Sequence, residues 1–162
     1  MERDEDIDPA IVRFAEVARQ YCAWAEGEFG EAQEVMRCAR RLLAELHLAA
    51  IHLPDLGIGK DKDAARISHD EWSGMFQKFG RLPLNIYWDV FNPLEETKPV
   101  ENSLADDLAD IYRDVRAGLS LFEAQYFIDA AWDWRFHFQI HWGQHLVGAQ
   151  RALHEYLSEE GF

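Results

Sequence analysis

With 162 residues the chain has room for about one domain, and 48% apolar against 28% charged residues excludes a disordered polymer. Thirty Asp and Glu against sixteen Lys and Arg leave a formal charge of -14, which argues against nucleic acid or an anionic membrane as a main partner, because both need clustered cations. Two cysteines, Cys22 and Cys38, cannot build a disulfide framework, no apolar run reaches membrane-spanning length, and Met1–Asp6 has no signal-peptide pattern, so a soluble, cytoplasmic protein is expected.

In chain order, Asp8 can cap a first helix and Pro9 fits its first turn. Ile11, Phe14, Ala18, Tyr21, Cys22 and Ala25 then recur at helical spacing. Gly27 and Gly30 break the pattern. A second helix is expected from Glu31 to Leu53, with Val35, Ala39, Leu42, Leu46, Ala49 and Leu53 on one face and Pro54 ending it. The short break predicts an antiparallel pair of helices. Cys22 and Cys38 occupy apolar helix positions, as packing thiols do.

Asp55 to Ile67 is polar and reads as an exposed loop. Its Gly57-Ile58-Gly59-Lys60 lacks the full phosphate-loop spacing and follows a helix rather than a strand, so it is taken as loop. Ser68 with Glu71 is a capping box, opening a third helix through Trp72, Met75, Phe76 and Phe79 to Gly80. Leu82 to Pro99 holds three prolines and the aromatic-rich Ile86–Phe91. It is expected to lie irregularly across the bundle, anchored by Tyr87, Val90 and Phe91, with no strand alternation.

Ser103 caps a fourth helix in which Leu104, Leu108, Ile111, Tyr112, Val115, Leu119 and Phe122 form one apolar sector. A fifth helix, from Tyr126 to Ser158, would run about thirty residues and roughly 45 Å. It is apolar nearly all round, which suits a central helix or one shared with another subunit. Its Trp and Phe stripe, with Gly143 beside Trp142, is read as core rather than as the lining of a cavity.

Two polar patterns stand out. Asp106, Asp110 and Asp114 are spaced four apart with Asp107 beside them, although like charges at that spacing weaken a helix by roughly 0.2–0.5 kcal/mol per pair. The helical wheel turns Asp110 roughly 145° from the centre of the apolar sector and Asp106 nearly opposite it, so both are expected to face water or another subunit. Asp107 and Asp114 fall on the border of the sector, where they could reach a neighbouring helix. His141 and His145, four apart, form the pattern by which one helix offers two imidazoles to a metal. The stretch His141-Trp-Gly-Gln-His145 lacks the glutamate that serves as base in zincin proteases, and a third ligand would have to come from His47, His52, Asp107 or Asp114.

The stretches Ser103–Asp114, Gly118-Leu119, Trp132–Phe136, His141-Trp-Gly143 and Arg151–His154, in that order, resemble a bacterial family catalogued as domain-of-unknown-function family 5063. Phe14-Ala15, Tyr21-Cys22, Arg40–Leu43 and Tyr87–Pro93 fit the same pattern, so the likeness spans most of the chain. The resemblance implies a soluble, all-helical bacterial protein without assigned activity, and it supplies no catalytic residues. One departure is Gln125-Tyr126, where a turn-forming residue such as Gly is expected between the last two helices.

The expectation is an all-α protein: one domain over residues 1–162, an up-down bundle of four to five helices with one irregular, aromatic-rich connecting segment. Without a complete catalytic set, the leading functional reading is a non-enzymatic binding or protein-interaction module, a homodimer with no cofactor. The alternative is a metal-dependent hydrolase or transferase holding a divalent ion with His141, His145, Asp107 and Asp114. A third reading, from the net charge, is a partner for a basic protein.

Overall fold

The computed structural model describes residues 7–57 and 61–160; Met1–Asp6 and the Ile58–Lys60 part of the glycine loop lie outside the described residues. The elements run α1 (Pro9–Glu26), α2 (Ala32–Ile51), α3 (His69–Phe79), β1 (Ile86–Asp89), β2 (Val100–Ser103), α4 (Leu104–Glu123), α5 (Phe127–His137), a π-helical turn (Phe138–Trp142) and α6 (Gly143–Glu160). The architecture is all-α, as the periodicity predicts. No described helix is long and apolar enough to cross a membrane.

Local signals set the helix ends. Asp8 accepts the Ala10 N–H ahead of Pro9, and Ser68 with Glu71 completes its reciprocal capping box. Ser103 accepts the Asp106 N–H at the start of α4. Gln125 takes a positive φ of 68° between α4 and α5. The backbone there demands the turn conformation that glycine adopts most easily, so the departure at this position marks a true boundary.

α1, α2, α6 and α4 pack in a ring around the core, each against the next, while α3 and α5 lie against α4 from outside. The long apolar C-terminal stretch is therefore not the centre of the molecule. α4 is, because it meets α1, α3, α5 and α6 and is buried on almost every side. Nor is the C-terminal stretch one regular helix. Gly143 donates to the Phe138 carbonyl across a π turn, and a Cβ on Gly143 would stand 2.3 Å from that same oxygen.

The core is strongly aromatic. Phe14 of α1 meets Trp134 and Trp142 with ring centroids 4.5 and 5.9 Å apart. Both indole N–H groups are satisfied by main chain, Trp134 donating to Val115 O at 3.0 Å and Trp142 to Trp134 O at 3.1 Å. Trp142 is fully buried, in line with the core reading of that stripe. Both cysteines are free thiols, and burial pushes Cys22 up to about 12.

The segment expected to be irregular forms a short antiparallel hairpin, with Ile86 opposite Ser103 and Asp89 opposite Val100. Four-residue strands are too short to show alternation, and only pairing makes them strands. Tyr87 anchors the hairpin and Val90 is half-buried, but the Phe91 side chain is exposed, and only its carbonyl, which accepts from Gln144, ties that residue to α6. β2 runs directly into the first turn of α4, where Asn85 accepts from Leu104 N and Ser103 Oγ.

Gly118 of α4 leaves room for the Trp134 ring of α5: a Cβ there would lie 2.3 Å from Trp134 Nε1. Gly118→Ala should lower stability by about 1–3 kcal/mol through overpacking. Urea denaturation followed by far-UV circular dichroism reads the loss, and a variant as stable as the parent would refute the packing described.

Candidate functional site

Five aspartates are the buried charged residues of the described chain: Asp107, Asp110 and Asp114 on α4, and Asp129 and Asp133 on α5. The three on α4 are 4%, 8% and 2% exposed, so Asp110 does not face water as its azimuth on an isolated helix predicts. The correction has a specific cause. α3 lies on that side of α4, and Trp72 donates its indole N–H to Asp110 Oδ1 at 2.9 Å. Asp106 is the member of the series that stays near solvent, with 42% of its side chain exposed.

Two histidines from the C-terminal stretch meet these acids. His141, inside the π turn, places Nδ1 2.6 Å from Asp114 Oδ2 and Nε2 3.6 Å from Asp110 Oδ2. His145, in the first turn of α6, places Nδ1 2.8 Å from Asp107 Oδ1 and Nε2 3.2 Å from Asp110 Oδ2. Asp107 also accepts from the Tyr87 hydroxyl of the hairpin. Each imidazole is thus gripped at Nδ1 by its own buried carboxylate, and both Nε2 atoms converge on one oxygen of Asp110. The ligand-type atoms of Asp110, His141 and His145 lie within 4.8 Å of one another, a spacing that suits one ion; Asp106, Asp107 and His145 satisfy the same criterion around the other nitrogen of His145.

The electrostatics follow from these contacts. Hydrogen bonds to Asp110 and Asp114 push His141 up to about 9. Burial opposes charge on His145, but the Asp107 hydrogen bond and the charges of Asp107 and Asp110 outweigh it and raise its pKa. Burial likewise opposes charge on Asp110, and contact with His141, Arg113 and His145 still holds it below the ordinary carboxylate value. Asp107 is raised, chiefly by burial.

Arginine completes the balance. Arg66, from the loop before α3, reaches Asp114 with Nε at 3.3 Å, Asp133 with Nη1 at 3.2 Å and the His137 ring with Nη2 at 2.8 Å. Arg113 pairs with Asp110 Oδ1 at 3.2 Å. An open cleft of about 790 Å³ lies outside this face, lined by Arg66, Trp72, Asp110, Arg113, Asp114 and His141 among others. A second cleft of about 370 Å³, under the hairpin, reaches His141 and His145 from the side of Asp89, Asp106 and Asp107.

All four residues singled out in the sequence, Asp107, Asp114, His141 and His145, therefore come together. The other suggested ligands do not join them: His47 pairs with Gln150, and His52 turns back to the Leu48 carbonyl. Sequence reasoning missed Asp110 as the shared acceptor, although its place in the Asp106–Asp110–Asp114 series was a signal. It also missed Arg66, Trp72 and the bond from Tyr87 to Asp107, which have no local signature.

An all-helical bundle with a His–Asp cluster between its central helix and its last is the class this geometry defines. The chain belongs to the family described as a domain of unknown function (DUF5063), whose model matches residues 5–159. Among solved structures it is similar to protein BF1032 from Bacteroides fragilis, at 22% identity over 92% of each chain with a TM-score of 0.78. That likeness shows the shared fold. No curated protein matches the chain.

Arg66 joins two carboxylates whose side chains are 3% and 2% exposed. Arg66→Met should therefore cost about 3 kcal/mol or more, because Asp114 and Asp133 lose a buried counter-charge. Arg113→Met, in a more open ion pair, should cost about 1 kcal/mol. Equal losses for the two variants in chemical denaturation would contradict this ranking.

Proposed function

We propose that the protein binds a divalent transition-metal ion through His141 Nε2, His145 Nε2 and Asp110 Oδ2. The observation that carries this reading is the pairing of roles on each imidazole. Nδ1 is fixed by a buried carboxylate, Asp114 for His141 and Asp107 for His145, while Nε2 is turned toward a common acceptor. Carboxylates of this kind orient metal-binding histidines and raise their basicity. The donor set of two imidazoles and one carboxylate suits zinc, iron or manganese, and three protein ligands leave coordination space for a further group. Asp107 and Asp114 then position ligands, and Asp110 takes the ligand role. A bound ion would supply Lewis-acid chemistry beside an open cleft, which supports the metal-dependent hydrolase or transferase reading.

Metal analysis of untagged protein, with zinc and manganese titrations, tests the proposal. About one equivalent should bind, and Asp110→Asn or His145→Ala should remove it. Asp107→Asn should weaken binding by roughly 10–100-fold, the usual effect of losing a carboxylate behind a histidine ligand. Neither bound metal nor a thermal shift on adding any would sink the reading.

One observation favours the interaction-module reading. Trp88, Phe91 and Leu94 are 66%, 74% and 92% exposed on and beside the hairpin. Such apolar exposure suits a contact with a second copy. Sedimentation should then show a dimer at micromolar concentration that Trp88→Asp dissociates; a monomer at that concentration would count against it.

A further inference from the structure

From the charge on the two clefts that flank the His–Asp cluster, we infer that its ligand is a small organic oxyanion, a phosphate or carboxylate, entering from the Arg66–Arg113 side. This rests on the metal reading above and adds to it the chemical class of what the ion meets.

The two approaches to the cluster differ in sign. The larger cleft presents Arg66 and Arg113, with His69 and His137 beside them, and its acids are Asp110 and Asp114 on the floor. The smaller presents Asp89, Asp106 and Asp107 and no cationic residue other than the two site histidines. An anion is disfavoured at the second mouth, which carries three acids, and is better tolerated at the first, where two arginines balance two acids. A divalent ion held by Asp110 and the two histidines would add two positive charges behind the arginines, and the larger cleft would then be cationic overall.

Geometry supports the same assignment. Asp110 and His141 both line the larger cleft, so a ligand in that cleft would meet the arginines and an ion held by these residues together. Arg113 touches Asp110 through Nη2 at 3.2 Å and Asp114 through Nε at 3.9 Å, and its five N–H donors exceed the partners it meets among the described residues. Arg66 is held rigidly by Asp114, Asp133 and His137 and still lines the cleft. A planar guanidinium fixed in this way matches the paired oxygens of phosphate or carboxylate. The volume of about 790 Å³ accommodates a small organic molecule, with Ile67 and Ile140 as apolar wall.

Cobalt-loaded protein provides the test, because the visible cobalt band reports on groups entering the coordination sphere. Inorganic phosphate, phenyl phosphate and benzoate are titrated separately, with benzyl alcohol as the neutral control. At least one anion should perturb the band and bind roughly tenfold or more tightly than the alcohol, and comparing phenyl phosphate with benzoate identifies the head group. Arg113→Gln and Arg66→Gln should each weaken that anion by about tenfold while one equivalent of cobalt remains bound, which also shows that the variant is folded. Asp89→Asn, in the acidic cleft, should leave anion affinity unchanged or slightly stronger. Cobalt bound normally with no response to any anion up to about 10 mM would overturn the ligand class and leave the metal reading intact. Failure to bind cobalt, zinc and manganese alike would overturn both.

Discussion

Three carboxylates on a central helix need counter-charge from whatever packs against that helix, and much of this architecture meets that requirement. Asp107, Asp110 and Asp114 line one side of α4 inside the bundle, where an uncompensated carboxylate would take up a proton rather than remain charged. α6 and the π turn bring His145 and His141, the loop before α3 brings Arg66, and α3 brings the Trp72 indole. The hairpin contributes the Tyr87 hydroxyl. Elements that would otherwise be decorations on a four-helix core thus converge on one polar seam.

That seam sits beside an aromatic core made of ordinary parts. Phe14, Trp134 and Trp142 fill the centre, and each indole N–H finds a main-chain carbonyl, so the tryptophans are buried without an unmet donor. The π turn serves both regions. It seats Trp142 in the core and, one residue earlier, carries His141 to α4. In a regular α-helix the azimuth between these positions and His137 would differ, and His137 here turns to Arg66 and the Asp133 carbonyl instead.

Contact with the buried acids raises the basicity of His141 and His145, so a metal ion bound as proposed would have to displace protons from the same Nε2 atoms. With protons, the cluster is an ion-pair network that ties α6 to α4. With the proposed metal, the same carboxylates would orient neutral imidazoles. The buried acids hold the imidazoles of His141 and His145 against the most enclosed helix of the fold.

Much was legible in the residues alone. Helical periodicity, the caps at Asp8, Ser68 and Ser103, and the candidacy of Asp107, Asp114, His141 and His145 are local properties, set by spacing along one helix at a time, whereas the pairing of those acids with those histidines is a tertiary contact. The family likeness was also readable from runs of adjacent residues. What surrounds each helix was not. Asp110 pointed away from the apolar sector of α4, and the docking of α3 on that side, with His141 and His145 closing on the same carboxylate, turned a solvent position into a buried one. The two short strands likewise exist because they pair, and Arg66 acquires its role because a loop folds back onto α4 and α5. Spacing along the chain decides which side chains share a face of a helix; the packing of other elements against that face decides whether it meets water, a counter-ion or a ligand.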